Sequence, residues 1–180
     1  MVYVFLADGF EEMEALGTVD ILRRAQIDVQ TVSVTGEKVV TSSHHVPVYA
    51  DILFDEINAE TCELMMMPGG LPGATNLAEH KALCKVLQDQ SVKHKYVAAI
   101  CAAPMVLGKI GILNHKKATC YPGFEKYLDG AEYTASLVEV DDHIITGKGP
   151  AAVTEFAFTL VRLLAGEEKE SEVRQGMLFS

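Results

Sequence analysis

Apolar positions along this chain recur with two different periods. Short apolar runs at residues 2–6, 29–34, 64–67 and 96–100 read as strands, and those at 64–67 and 96–100 are continuous enough to be buried on both faces. Residues 11–26 place Met13, Leu16, Val19, Ile21 and Leu22 at helical spacing, and residues 79–91 form a polar-faced helix. Residues 102–110 are also helical, with Pro104 tolerated only in a first turn. A turn at 35–38 leads into edge pieces at 39–41 and 46–49, the second broken by Pro47. Further on come a strand at 118–120, a short helix at 124–128, and a hairpin pairing 137–140 with 143–146 across Asp141-Asp142. Residues 151–165, opened by Pro150 and stopped by Gly166, are the last long helix, and 167–175 read as a charged tail. Strands alternating with helices predict a three-layer α/β/α sandwich of flavodoxin type, with a mostly parallel sheet and a small β-hairpin. No repeat or low-complexity linker divides the chain, so residues 1–180 are expected to be one domain.

Composition narrows the partners. A net charge of −10 with no cluster of Lys or Arg opposes a phosphate backbone, which excludes nucleic acid as an expected partner. The apolar start at residues 1–6 ends at Asp8-Gly9, too short for a membrane span and without the basic flank of a signal peptide, so a cytoplasmic protein is expected. Cys62, Cys84, Cys101 and Cys120 make neither a dense disulfide framework nor a C-x-x-C pair, and free thiols are the default.

In parallel α/β folds ligands bind beyond the carboxyl ends of the strands. Asp8-Gly9, Pro68-Gly69-Gly70 and Cys101 all follow strands and can meet there. Cys101 falls between the apolar run 96–100 and the Pro104 helix, at a corner resembling a nucleophile elbow with sulfur in place of oxygen. Helix-end N–H groups beneath such a thiol favour thiolate, so ionisation near neutrality is expected. Glu11 and Glu12 suit helix capping, but Glu14 shares a stripe with Thr18 and Ile21, where an apolar setting should hold its carboxyl protonated beside the sulfur. Gly69 and Gly70, with the Cys101 and Ala102 amides, can supply an oxyanion hole.

The set Glu-Glu-Met-Glu after the first strand, Met-Pro-Gly-Gly after a middle strand, Ala-Ala-Ile-Cys-Ala-Ala-Pro at the corner and Gly-Lys-Gly-Pro before the last helix resembles the ThiJ/PfpI superfamily, in the branch of the parkinsonism-associated deglycase and its bacterial relatives. The resemblance covers nearly the whole chain. It implies Cys101 as reactive thiol, Glu14 as its carboxyl partner, and Gly70 with the Cys101 and Ala102 amides as the anion pocket. It further implies cofactor-free glyoxalase or deglycase chemistry on a small carbonyl substrate, and a homodimer through the first helix, where Met13, Asp20 and Arg24 match interface or near-site positions. Peroxide sensing at the same thiol and chaperone-like protection are the alternatives it carries. Two positions depart from the pattern. Tyr121 replaces the usual His before Pro122, which removes the imidazole base and predicts weak turnover; Ala102 replaces the His of the peptidase branch, which disfavours peptidase or amidase chemistry. His44 falls where the family often has Arg.

Other motifs carry less. Gly147-Lys148-Gly149-Pro150-Ala151-Ala152 has a dinucleotide-like spacing, but the following helix leads only to the charged tail. His44-His45 point to opposite faces of an extended segment, Met65-Met66-Met67 suit a buried strand, and no metal site is expected. Cys62 and Cys84 read as packing residues, and Cys120 as a buried thiol or a resolving partner.

Overall fold

The computed structural model describes residues 1–179 and confirms the three-layer α/β/α class. The elements in chain order begin with β1 (Val2–Leu6), α1 (Glu12–Arg24), β2 (Val29–Ser33), β3 (Val39–Thr41), β4 (Pro47–Tyr49) and β5 (Ile52–Leu53). Then come β6 (Leu64–Met67), α2 (Gly73–Glu79), α3 (Lys81–Val92), β7 (Tyr96–Ile100) and α4 (Pro104–Lys109). The chain continues through β8 (Lys117–Ala118), β9 (Glu132–Tyr133), β10 (Val138–Asp141), β11 (Ile144–Gly147), α5 (Val153–Ala165) and α6 (Glu167–Gly176). The main sheet has seven strands in the order β10-β11-β7-β6-β1-β2-β5, all parallel except the β10–β11 edge pair. β3 pairs antiparallel with β4 in a separate small sheet.

Strand periodicity divides the core into two halves. On β1, Val2, Val4 and Leu6 face one layer while Tyr3 and Phe5 face the other. Leu64 and Met66 oppose Met65 and Met67 on β6, and Ala98 and Ile100 oppose Val97 and Ala99 on β7. The Met65–Met67 run is therefore core on both sides, as a strand covered by helices must be. The first layer is closed by α1 and α5, with Phe156, Phe158, Leu160 and Val161 at its heart. Among the described residues no helix is long and apolar enough to cross a membrane.

Four local expectations are corrected. The helix read at 79–91 starts at Lys81, because His80 leaves helical backbone and caps α3 by accepting the Leu83 N–H at 3.0 Å, and α2, which the sequence reading did not include, ends just before it at Glu79. The helix read at 102–110 regularises only from Pro104 to Lys109, after a turn through Cys101–Ala103. The segment at 118–120 contributes only Lys117–Ala118 to a two-stranded pair with β9. The charged tail is not simply solvated: it forms α6, packed on α5. There Glu170 is buried and accepts from Arg174 Nε at 2.9 Å, and the same guanidinium forks onto Glu155 at 2.9 and 2.7 Å over the Phe158 ring.

Candidate active site

The strand order changes direction at β1: the chain passes from β1 to β2 on one side and later returns to β6 on the other. Loops leaving the carboxyl ends of β1, β6 and β7 converge at this switch point, where such sheets open a crevice. The β1 loop runs into α1, whose N-cap Glu11 accepts the Glu14 N–H at 2.8 Å. This cap fixes the first turn and turns Glu14 inward, to full burial.

The β6 loop meets that turn through one peptide. Gly69 N–H donates to Glu14 Oε2 at 2.7 Å, and the Gly69 carbonyl accepts from Glu11 N at 3.0 Å. A Cβ at Gly69 would lie 2.7 Å from Cys101 Cβ and 2.9 Å from Ala102 N, so only glycine allows this approach. Gly70, at φ +84°, would place a Cβ 2.5 Å from the Gly9 carbonyl.

Cys101 ends β7 with φ +64°, a strained value for a residue with a side chain. Its backbone is fixed on both sides: its N–H donates to Gly147 O and its carbonyl accepts from Tyr121 N, each at 2.8 Å. The residue is buried, with 8% of its surface exposed. The Gly70 and Ala102 N–H groups are directed at the thiol.

Electrostatics redistributes the charge expected from sequence. Burial lifts the Glu14 carboxyl from about 4.5 to about 7, although the Gly69 N–H and the Cys101 side chain favour its ionised form and Glu11 opposes it. Its second oxygen, Oε1, finds no hydrogen-bond partner of good geometry among the described residues. The Cys101 thiol is pushed up to about 12, first by burial and then by Glu14, against the pull of the Gly70 and Ala102 amides. Burial raises Glu14, as an apolar setting is expected to, and raises the Cys101 thiol as well, against the expectation of a thiolate near neutrality.

The other expected site residues separate into three groups. Gly69 is not a free oxyanion donor, because Glu14 takes its N–H, whereas the Gly70 and Ala102 N–H groups bear on the thiol. Tyr121 stands at the mouth, tied to the corner by its own N–H, half exposed and edge-on to Phe124. His44 lies on the β3–β4 turn and pairs through Nδ1 with Glu12 Oε1 at 2.8 Å, facing the α1 start rather than sulfur. Asp20 and Arg24 bond to each other at 2.8 Å on the exposed side of α1. Asp20 is about 9 Å of helix rise beyond Glu14, so of the interface and near-site places expected for these two residues, the exposed side of α1 is the one they take within a single chain.

Sequence reading missed Gly147 and Gly149. The first supplies the carbonyl that anchors Cys101 N, and the second lies against the Tyr121 ring, where a Cβ would come within 3.1 Å of it. Their motif entered as a part of the family resemblance and as a nucleotide-like spacing, without a site role for either glycine; its position after a strand was the available signal. Cys120 is wholly buried and its thiol is raised to about 12, mainly by burial, which makes it a poor resolving thiol.

A thiol on a strained strand-to-helix corner, beside a buried carboxyl at the switch point of a parallel sheet, defines a cysteine-centred α/β-sandwich protein. Residues 1–163 match the model of the DJ-1/PfpI family, and the chain belongs to that family. It is 41% identical over 174 residues to "Protein DJ-1 homolog B" of Arabidopsis thaliana, covering 96% of this chain and 40% of that one. The chain thus spans less than half the length of that plant relative. It is 30% identical over 164 residues to "Glutathione-independent glyoxalase DJR-1.2" of Caenorhabditis elegans, covering 91% of this chain and 87% of that one. The solved structure of oxidized Toxoplasma gondii DJ-1 superposes with a TM-score of 0.95 at 34% identity, covering 99% and 98% of the two chains.

Proposed function

We propose that this protein is a cofactor-free glyoxalase or deglycase acting on α-oxoaldehydes or their adducts, with Cys101 as nucleophile and Glu14 as the proton carrier. The observation that carries the reading is the Glu14–Cys101 pair: a base near neutrality beside a thiol too weakly acidic to ionise unaided. The C. elegans relative described as a glutathione-independent glyoxalase supports the same chemistry.

In the proposed sequence, ionised Glu14 takes the Cys101 proton as sulfur bonds to the aldehyde carbon. The former aldehyde oxygen becomes an oxyanion near the Gly70 and Ala102 N–H groups, then takes up a proton to complete a hemithioacetal. Glu14 next removes the hydrogen of that carbon as a proton, and the neighbouring ketone carbon receives a proton in return. One carbon is oxidised and the other reduced within the same molecule, leaving a 2-hydroxyacyl thioester. Water cleaves the C–S bond, the hydroxy acid departs, and the thiol is restored. No external oxidant or reductant enters.

The test is methylglyoxal turnover by the wild type and Cys101→Ser, read as hydroxy acid formed. Measurable wild-type turnover that falls at least about a hundredfold in the variant is expected for loss of the nucleophile. No turnover in wild type, or equal turnover in both, refutes the proposal.

Two further parts of the proposal concern setting. The exposed side of α1 forms, with α5, an apolar groove of about 670 Å³ lined by Met13, Leu16, Ile21, Val46, Val153 and Met177, and we assign it to pairing with a second copy of the chain. Four cysteines without a disulfide fit a reducing compartment such as the cytoplasm.

A further inference from the structure

At the end of the sheet away from Cys101, two connections bring together a set of side chains that the proposed reaction does not use. His94 lies between α3 and β7, and Asp142 and His143 form the turn between β10 and β11. Asp142 Oδ2 is 2.8 Å from His143 Nδ1 and 3.6 Å from His94 Nδ1, and one donor atom from each of the three residues lies within 4.8 Å of the others. We propose that His94, Asp142 and His143 form a binding site for a divalent transition cation of the zinc kind.

The donor set is two imidazoles and one carboxylate, the composition that borderline-soft cations select and that calcium or magnesium do not. Bonds of 2.0–2.1 Å in tetrahedral geometry set neighbouring ligand atoms about 3.3 Å apart. The two distances above bracket that value, and the third pair, His94 with His143, lies within 4.8 Å, so rotation of the exposed His94 ring closes the site.

The second ring nitrogen of His143 supplies an independent sign of construction. His143 is buried, and its Nε2 lies 3.0 Å from Ser91 Oγ. In the metal-free chain Nδ1–H donates to Asp142 and Nε2 accepts from the Ser91 hydroxyl; a cation takes the place of the Nδ1 proton, and Nε2–H then donates to the same hydroxyl, the outer-shell arrangement that orients metal-binding imidazoles. His94 and Asp142 are both largely exposed, which leaves an entry path and room for water in a fourth position.

Lys116 is the one neighbouring cation to displace. It lies 3.5 Å from Asp142 Oδ2 but 3.2 Å from Asp141 Oδ1, so it keeps Asp141 when the metal takes Asp142. A bound ion would clip the edge hairpin to the connection entering β7. The five residues of β7, about 16 Å of strand, separate this end from Cys101.

The experiment uses metal-free full-length protein without a polyhistidine tag, titrated with zinc by calorimetry and with cobalt as an absorbing probe. The expected result is one ion per chain, a cobalt spectrum without thiolate charge transfer, and a thermal midpoint about 5–10 °C higher at a hundredfold excess over Kd. His94→Ala and Asp142→Asn should each weaken binding at least about tenfold, while Cys101→Ala and His44→Ala leave it unchanged. His94 is exposed, so its variant should keep the metal-free midpoint of the wild type. Absence of saturable zinc binding, binding undiminished in both site variants, or binding abolished by Cys101→Ala overturns the assignment.

Discussion

Replacing Glu14 by glutamine isolates the electrostatic cost at the centre of the proposed mechanism. The side chain is fully buried, and its carboxyl rises from about 4.5 to about 7, chiefly through burial. A rise of that size corresponds to about 3 kcal/mol between the two protonation states. Between about pH 4.5 and 7 the folded chain keeps a proton that the unfolded chain has released. Raising the pH through this window therefore disfavours the folded state, and the proton-linked stability, whole below pH 4.5, is gone above pH 7.

Glutamine has the same shape and still offers an oxygen to the Gly69 N–H, but it does not titrate. Urea unfolding of both proteins from pH 4 to 8.5 gives the difference directly, since all other ionisable groups cancel to first order. The variant should gain about 3 kcal/mol on the wild type across the window, with parallel curves above it. The charge that lifts Cys101 is also removed, so its thiolate absorbance should titrate below the wild-type value of about 12. A difference curve flat to within about 0.5 kcal/mol, or a thiol made still less acidic, would refute the account of the pair.

Two further outcomes follow from the packing. Arg174→Ala leaves buried Glu170 with only Arg162 at 3.5 Å and frees Glu155, and should cost about 2 kcal/mol in urea unfolding; a loss below about 0.5 kcal/mol would show that the α5–α6 network adds little. Leu16→Asp puts a charge into the apolar groove beside Met13, so sedimentation should show a dimer for the wild type and a monomer for the variant; an oligomeric state unchanged between the two would remove α1 from the interface.

The corner at Cys101 was legible in the sequence because its cause is local. An apolar run ending at Ile100 and a proline at Pro104 leave the residue between them no regular structure to join. The layer architecture was legible for a similar reason, since the apolar run Val2–Leu6 and the helical spacing from Met13 to Leu22 each describe a single element. Within one element, spacing also turned Glu14 toward the apolar side.

Tertiary structure decided what each group faces and what it costs. Gly69 and Gly70 are adjacent and chemically identical, yet one amide is spent on Glu14 while the other is directed at sulfur. Glu170 sits in a run of like charges, yet the run of α6 along α5 buries it against Arg174. Desolvation raises both groups of the Glu14–Cys101 pair, against what the helix-end N–H groups alone would give the sulfur. Hydrogen-bond partners and dielectric surroundings are set by residues far away in the chain, and periodicity describes only near neighbours.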